Sequence, residues 1–208
     1  MSIQVRPFLS EGGWWTAYSD YYRFACSMLN EFTRLTKQIE AEEERITKEL
    51  QVQEFPVEYF EQYVMSRVLH LHEDAYRVAI SCHIYACMAL EGFLNLYGVR
   101  RLGERFYQRY LERAGIMEKL ALVGTCCGQW NIDEHPQAER DFREIFEARN
   151  RLVHPKTKEF RPDRIESNLY VHPSNIEITQ HMQRLERCVD FFVSVDSTLP
   201  RDFLFPKT

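Results

Sequence analysis

Glu147-Ala148-Arg149-Asn150-Arg151-Leu152-Val153-His154-Pro155-Lys156 is the stretch on which the reading of this chain turns. Counting along it and backwards, Phe142, Ile145, Phe146, Leu152 and Val153 recur at the 3.6-residue spacing of an amphipathic helix. The stripe passes through position 149, where an arginine stands in place of a leucine. Asn150 and His154 are four residues apart and share the neighbouring face. Pro155 closes the helix, because the residue before a proline is pushed out of the helical region.

A second charge sits at an apolar position one segment earlier. The stripe Ile80, Ile84, Cys87/Met88, Leu94 runs through Glu91. Two opposite charges, each at an inward position, predict a pair: Glu91 and Arg149 within salt-bridge reach. Removing one partner of a buried pair costs roughly 3–5 kcal/mol, so neither is expected to be buried alone. Such a pair serves a site or fixes helix register. Asn95 follows Glu91 by one turn and extends the polar face.

Outward from these two helices the pattern stays helical. Residues 1–13 read as an irregular lead-in. Trp14 to about Leu50 forms one long helix whose stripe thins toward its acidic end, where it projects from the core or packs on a partner. Pro56 breaks it and suits the first turn of the next helix. Val57–Gly98 is helical, with a break expected near His70–Asp74 because forty residues is long for one globular helix. Gly98 is the expected terminator. Helices at 101–114 and 116–127 follow, ended by Gly115 and Gly128. Trp130–His135 reads as a loop, and Pro136 opens the helix carrying Arg149. A polar connection leads from Pro155 to Asn175, and a last helix spans about 176–197. The fold class is therefore all-α. We read one domain over residues 1–208, with an N-terminal extension and long helix at 1–56 and a bundle at 57–208.

Composition agrees. The chain has 208 residues, 45% of them apolar, with only eight glycines and eight prolines, favouring helices over a turn-rich sandwich. A net charge of −5 speaks against coating nucleic acid by bulk positive charge. Local basic stretches stand out: Arg149, Arg151, Lys156, Lys158, Arg161 and Arg164, and earlier Arg100, Arg101, Arg105, Arg109 and Arg113. They are solvated helix faces or a grip on a phosphate backbone. Six cysteines without C-x-x-C or framework spacing predict reduced, mostly buried thiols and a cytoplasmic location. The start lacks an apolar signal core, and the run Ile84–Leu90 is too short to span a bilayer.

Other chemistry finds little footing. His70 and His72 face different sides of a helix. His83 and Cys87, four apart, have no third or fourth ligand at suitable spacing, so no metal is expected. Phosphate-binding, dinucleotide and nucleophile-elbow motifs do not occur, and no cofactor is expected. Trp14, Trp15, Tyr18, Tyr21 and Tyr22 form either a buried aromatic face or a base-stacking one. His154 has its own modest reading as a histidine facing the negative helix end.

Arg149-Asn150-Arg151-Leu152-Val153-His154, followed by Pro155-Lys156, resembles the R-x-x-x-x-H motif of HEPN domains. Ala89-Leu90-Glu91-Gly92-Phe93-Leu94-Asn95 is similar to the helix of those domains that supplies a polar partner. The likeness covers roughly residues 57–208, leaving the long first helix aside. It implies a HEPN-like helical bundle that pairs as a homodimer, bringing two motifs into one cleft. It further implies a metal-independent endoribonuclease, of the kind found as toxins or phage-defence effectors, with RNA as substrate and an antitoxin or defence-system protein as further partner. Some such domains have lost catalysis and serve as binding or scaffold proteins, which is the alternative. In one toxin branch a tyrosine follows the histidine by two residues. Here that position is Lys156, so regulation through that tyrosine does not carry over.

On this reading Arg149, Asn150, His154 and Glu91 are the catalytic candidates, and Arg151, Lys156, Lys158 and Asn95 the substrate-binding ones. A 2′-hydroxyl attacks the adjacent phosphate, His154 moves the proton, and Arg149 steadies the phosphorane charge. A Glu91 that fully neutralised Arg149 would weaken that role.

Overall fold

The computed structural model describes residues 5, 6, 8, 16–53, 55–127, 130–153 and 177–199. Helix α1 (Tyr18–Val52) buries Tyr18, Ala25, Leu35, Ile39, Ile46 and Leu50 along one stripe. Its outer face carries ion pairs one turn apart: Arg34–Glu31, Arg45 with Glu42 and Glu49, and Lys48–Glu44. All lie on the solvent side of the helix, where water screens them. They support the helix where its apolar stripe is thin.

A 3₁₀ turn at Val57–Tyr59 leads into α2 (Phe60–Leu102), which returns antiparallel to α1. At one end Tyr18 meets Phe93 edge-on, ring centroids 5.8 Å apart. Further along, the Cys82 thiol donates to the Ala25 carbonyl at 3.3 Å. Leu35 and Ile39 then cluster with Leu71 and Ala75, and Ile46 and Leu50 with Val68. Among the described residues these last two clusters contain only the hairpin's own side chains. The far half of the α1–α2 hairpin is thus an arm extending from the main core.

The expected break at His70–Asp74 does not occur: α2 is one helix of 43 residues. Val68, Leu71, Ala75, Ala79, Cys82 and Ala86 keep an unbroken buried stripe at three- and four-residue steps, so packing on α1 carries the helix straight through. Gly98 is not its terminator either. A Cβ there would stand 2.5 Å from Tyr107 Cε2, so Gly98 makes room for a ring. The helix ends at Gly103, whose φ of 84° suits glycine.

Helix α3 (Glu104–Tyr110) is shorter than the 101–114 expected, and α4 (Ile116–Cys127) follows. The segment read as a loop contains a 3₁₀ turn, Ile132–Glu134, ahead of α5 (Pro136–Val153) and α6 (Ile178–Val195). The described residues form helices and turns without a strand, so the chain is all-α. The connection after Pro155, the lead-in apart from Val5, Arg6 and Phe8, and Trp14 and Trp15 lie outside the described residues.

The main core surrounds the second half of α2. Phe93 and Tyr97 pack on Phe192 with centroids 5.0 and 5.1 Å apart, and Trp130 meets Phe191 edge-on at 5.2 Å. Tyr97 donates its hydroxyl to Asp196 Oδ2 at 2.9 Å, and Arg101 Nε lies 3.5 Å from the same oxygen. By length and composition α2 passes for a membrane span. Half of its most apolar window is buried within the protein, as a core helix requires. All six cysteines are free, four of them buried.

Candidate functional site

Pro136 begins α5 where its missing N–H costs nothing, and the helix buries Asp141, Phe142, Ile145, Phe146 and Ala148. Arg149 and Leu152 are half-buried at the stripe's edge, while Asn150 and Arg151 are exposed. Ala148, not Arg149, takes the fully buried place in the last turn. Across from this end, α2 presents Cys87 buried and Glu91 and Asn95 half-buried, spaced four residues apart on one face.

Glu91 and Arg149 do not form the expected pair. Among the described residues no ion pair joins them; Arg149 Nη1 instead donates to Asn150 Oδ1 at 3.0 Å. Both nonetheless act on Cys87. Burial pushes that thiol up to about 12, the Glu91 carboxylate pushes the same way, and the Arg149 guanidinium pulls it back. The expectation took both charges to be fully desolvated. Each is only half-buried, so water solvates them and no direct contact is forced.

Among the described residues the most buried ion pair is Arg101–Asp196, its side chains 5% and 2% exposed, and Asp141 is a second buried carboxylate held by arginine. Asp141, 2% exposed, accepts two hydrogen bonds of 2.7 Å from Arg187, and Arg184 bridges to Glu144 at 2.7 Å.

Asn95 is joined to two residues the sequence reading passed over. Its Oδ1 accepts from Tyr107 Oη at 2.5 Å and from Lys119 Nζ at 3.1 Å. Burial raises the Tyr107 phenol well above its ordinary value, with Glu91 and then Glu112 adding to the rise. Glu91, Asn95, Tyr107 and Lys119 therefore share one corner between α2, α3 and α4. A signal for Lys119 existed: it precedes Val123 by four residues and Cys127 by eight, an inward position on a helix holding Leu120, Val123 and Cys127 buried. It is the same anomaly that drew attention to Arg149.

His154, Lys156 and Lys158 lie outside the described residues. His83 meets His181 of α6, ring centroids 4.1 Å apart, rather than joining Cys87 in a donor set. Among the described residues no three His, Cys, Asp or Glu side chains converge as a metal site would need.

The site thus brings Glu91, Asn95 and Arg149 to one face of α2, with Asn150 and Arg151 on the exposed side of the α5 end. Chemically it offers a guanidinium without a carboxylate partner among the described residues, a half-buried carboxylate, and an amide whose oxygen is fully occupied. No family model, curated protein or solved structure matches this chain.

Proposed function

We propose that this protein is a HEPN-like, metal-independent endoribonuclease that works as a homodimer in the cytoplasm. The supporting observation is the state of Arg149. It stands in the last turn of α5, half-buried, with its guanidinium bonded to a neutral amide and not to Glu91. Its positive charge is therefore available to a phosphate, one turn ahead of His154-Pro155-Lys156 in the sequence.

The chemistry follows from those side chains. The 2′-oxygen forms a bond to the adjacent phosphorus as its proton passes to His154. Arg149 stabilises the added negative charge on the phosphorane. The bond from phosphorus to the 5′-oxygen then breaks, and that oxygen leaves with a proton delivered from the second copy's motif. The products are a 2′,3′-cyclic phosphate and a free 5′-hydroxyl. Asn150 orients the guanidinium, and Arg151, Lys156 and Lys158 hold flanking phosphates. Glu91, acting at a distance, sets the local field without cancelling the arginine. On this reading the protein is a toxin or phage-defence effector, restrained by an antitoxin or defence-system partner.

The test incubates purified protein with mixed RNA in EDTA and compares Arg149→Ala and His154→Ala. Wild type cleaves, and each variant loses about 10²–10⁴ in rate. Equal cutting by all three proteins sinks the reading. RNA binding without cleavage by wild type selects the alternative, a catalytically silent HEPN-like scaffold.

A further inference from the structure

Lys119 is buried, 5% exposed, in the first turn of α4. Three features of its surroundings leave room for a negative partner. Burial strips its water. The positive end of the helix dipole lies alongside. Among the described residues it makes no ion pair, and its polar contact is the neutral Asn95 oxygen at 3.1 Å. An ammonium carries three N–H donors, so two remain unused among those residues. Glu91 stands at the same corner and acts on the Tyr107 phenol, but among the described residues no carboxylate contacts the ammonium.

Asn95 is set to help supply a place for one. Tyr107 and Lys119 both donate to its Oδ1, which fixes the orientation of the amide: both donors require the oxygen, so Nδ2 faces the other way. Asn95 is half-exposed, and Nδ2 makes no hydrogen bond among the described residues. Tyr107 is itself held in place by its ring, which lies over Gly98. The result is an amide donor edge with a buried ammonium behind it.

We propose that Asn95 and Lys119 form an oxyanion subsite that takes a phosphate of bound RNA, with Tyr107 as its positioning residue. This deepens the ribonuclease reading and rests on it for the identity of the ligand. Cys87, Glu91 and Asn95 span about 12 Å of α2 at 1.5 Å per residue. Arg149 acts at the Cys87 end and the Lys119 charge lies behind Asn95 at the other, so a strand lying along this face passes a positive potential at each end. Glu91 lies midway and repels a phosphate, which leaves the two ends as the places for the backbone.

Two substitutions separate binding from stability. Asn95→Asp replaces the amide donors by a carboxylate that pairs with Lys119 in place. Lys119→Gln keeps a donor to Asn95 but removes the charge. Anisotropy with a fluorescent, uncleavable 2′-O-methyl RNA is measured for wild type and both variants, with melting curves in the presence and absence of inorganic phosphate. Asn95→Asp is expected to raise the melting temperature while weakening RNA binding about tenfold, and Lys119→Gln to weaken binding by a similar factor. Phosphate raises the melting temperature of wild type alone. Unchanged RNA affinity and an unchanged phosphate response in both variants overturn the subsite, whether or not the protein cleaves RNA. Failure to bind RNA, together with a phosphate response that needs Asn95 and Lys119, upholds the oxyanion subsite and removes RNA as its ligand.

Discussion

Asp141 and Arg187 join α5 to α6 through two hydrogen bonds of 2.7 Å, one from Nε and one from Nη2. The carboxylate is 2% exposed and the arginine 46%, and this asymmetry decides what each substitution does. Arg187→Met takes both hydrogen bonds from a buried carboxylate, leaving it Arg184 Nε at 3.9 Å, and is expected to cost about 3 kcal/mol. Asp141→Asn leaves an arginine that can turn to solvent and costs about 1 kcal/mol. Urea unfolding of the two variants measures both; equal losses would contradict the asymmetry.

Glu91 and Arg149 share an influence on Cys87 without touching. Their substitution is therefore mild for the fold. Arg149→Ala and Glu91→Gln are each expected to cost under about 1 kcal/mol, with a coupling below about 0.5 kcal/mol in a double-mutant cycle. A coupling of several kcal/mol would restore the buried pair. The mildness also makes Arg149→Ala a clean probe of RNA cleavage.

The buried imidazoles of His83 and His181, ring centroids 4.1 Å apart, make stability acid-sensitive. Burial, then Arg184 and Arg151, lowers His83 from 6.5 to about 4. Burial, then His83 and Arg184, lowers His181 to about 3. Both are neutral in the folded protein and gain protons more readily when unfolded. The stability tied to them is complete above about pH 6.5 and falls as the pH drops toward 4 and 3. Melting temperature is expected to decline already between pH 6.5 and 5, above the range where most carboxylates titrate. His83→Leu flattens that decline. An identical slope in the variant counts against the histidines as its source.

Gly124 has its α-carbon under Trp130. A Cβ there would lie 2.6 Å from both the Trp130 carbonyl oxygen and its ring Cε3. Because a backbone atom blocks the space, Gly124→Ala forces α4 away from the turn. The expected cost is about 2 kcal/mol despite the better helix propensity of alanine. Thermal melting checks it, and a gain in stability would show that the turn yields freely.

Much of the fold could be read in the chain because amphipathic spacing is local. The start of α5 at Pro136, the bounds of α4 and the stripes of α1 and α6 follow from residues a few places apart. The break near His70 was expected on length alone, and the hairpin partner overruled it. Gly98 carries the signature of a helix end, yet its use depends on Tyr107 arriving from α3. What the sequence determined by itself is therefore helix existence, helix faces, and the anomaly of charges at inward places: Arg149, Glu91 and, by the same rule, Lys119. Which charges meet was decided only by tertiary structure. Periodicity gives a residue's angle on its own helix, but says nothing of how deeply that edge is covered or which helix stands opposite. Arg149 and Glu91 ended half-solvated and apart, while Asp141, four residues before Ile145 and inward by the same rule, became a buried anion that Arg187 holds.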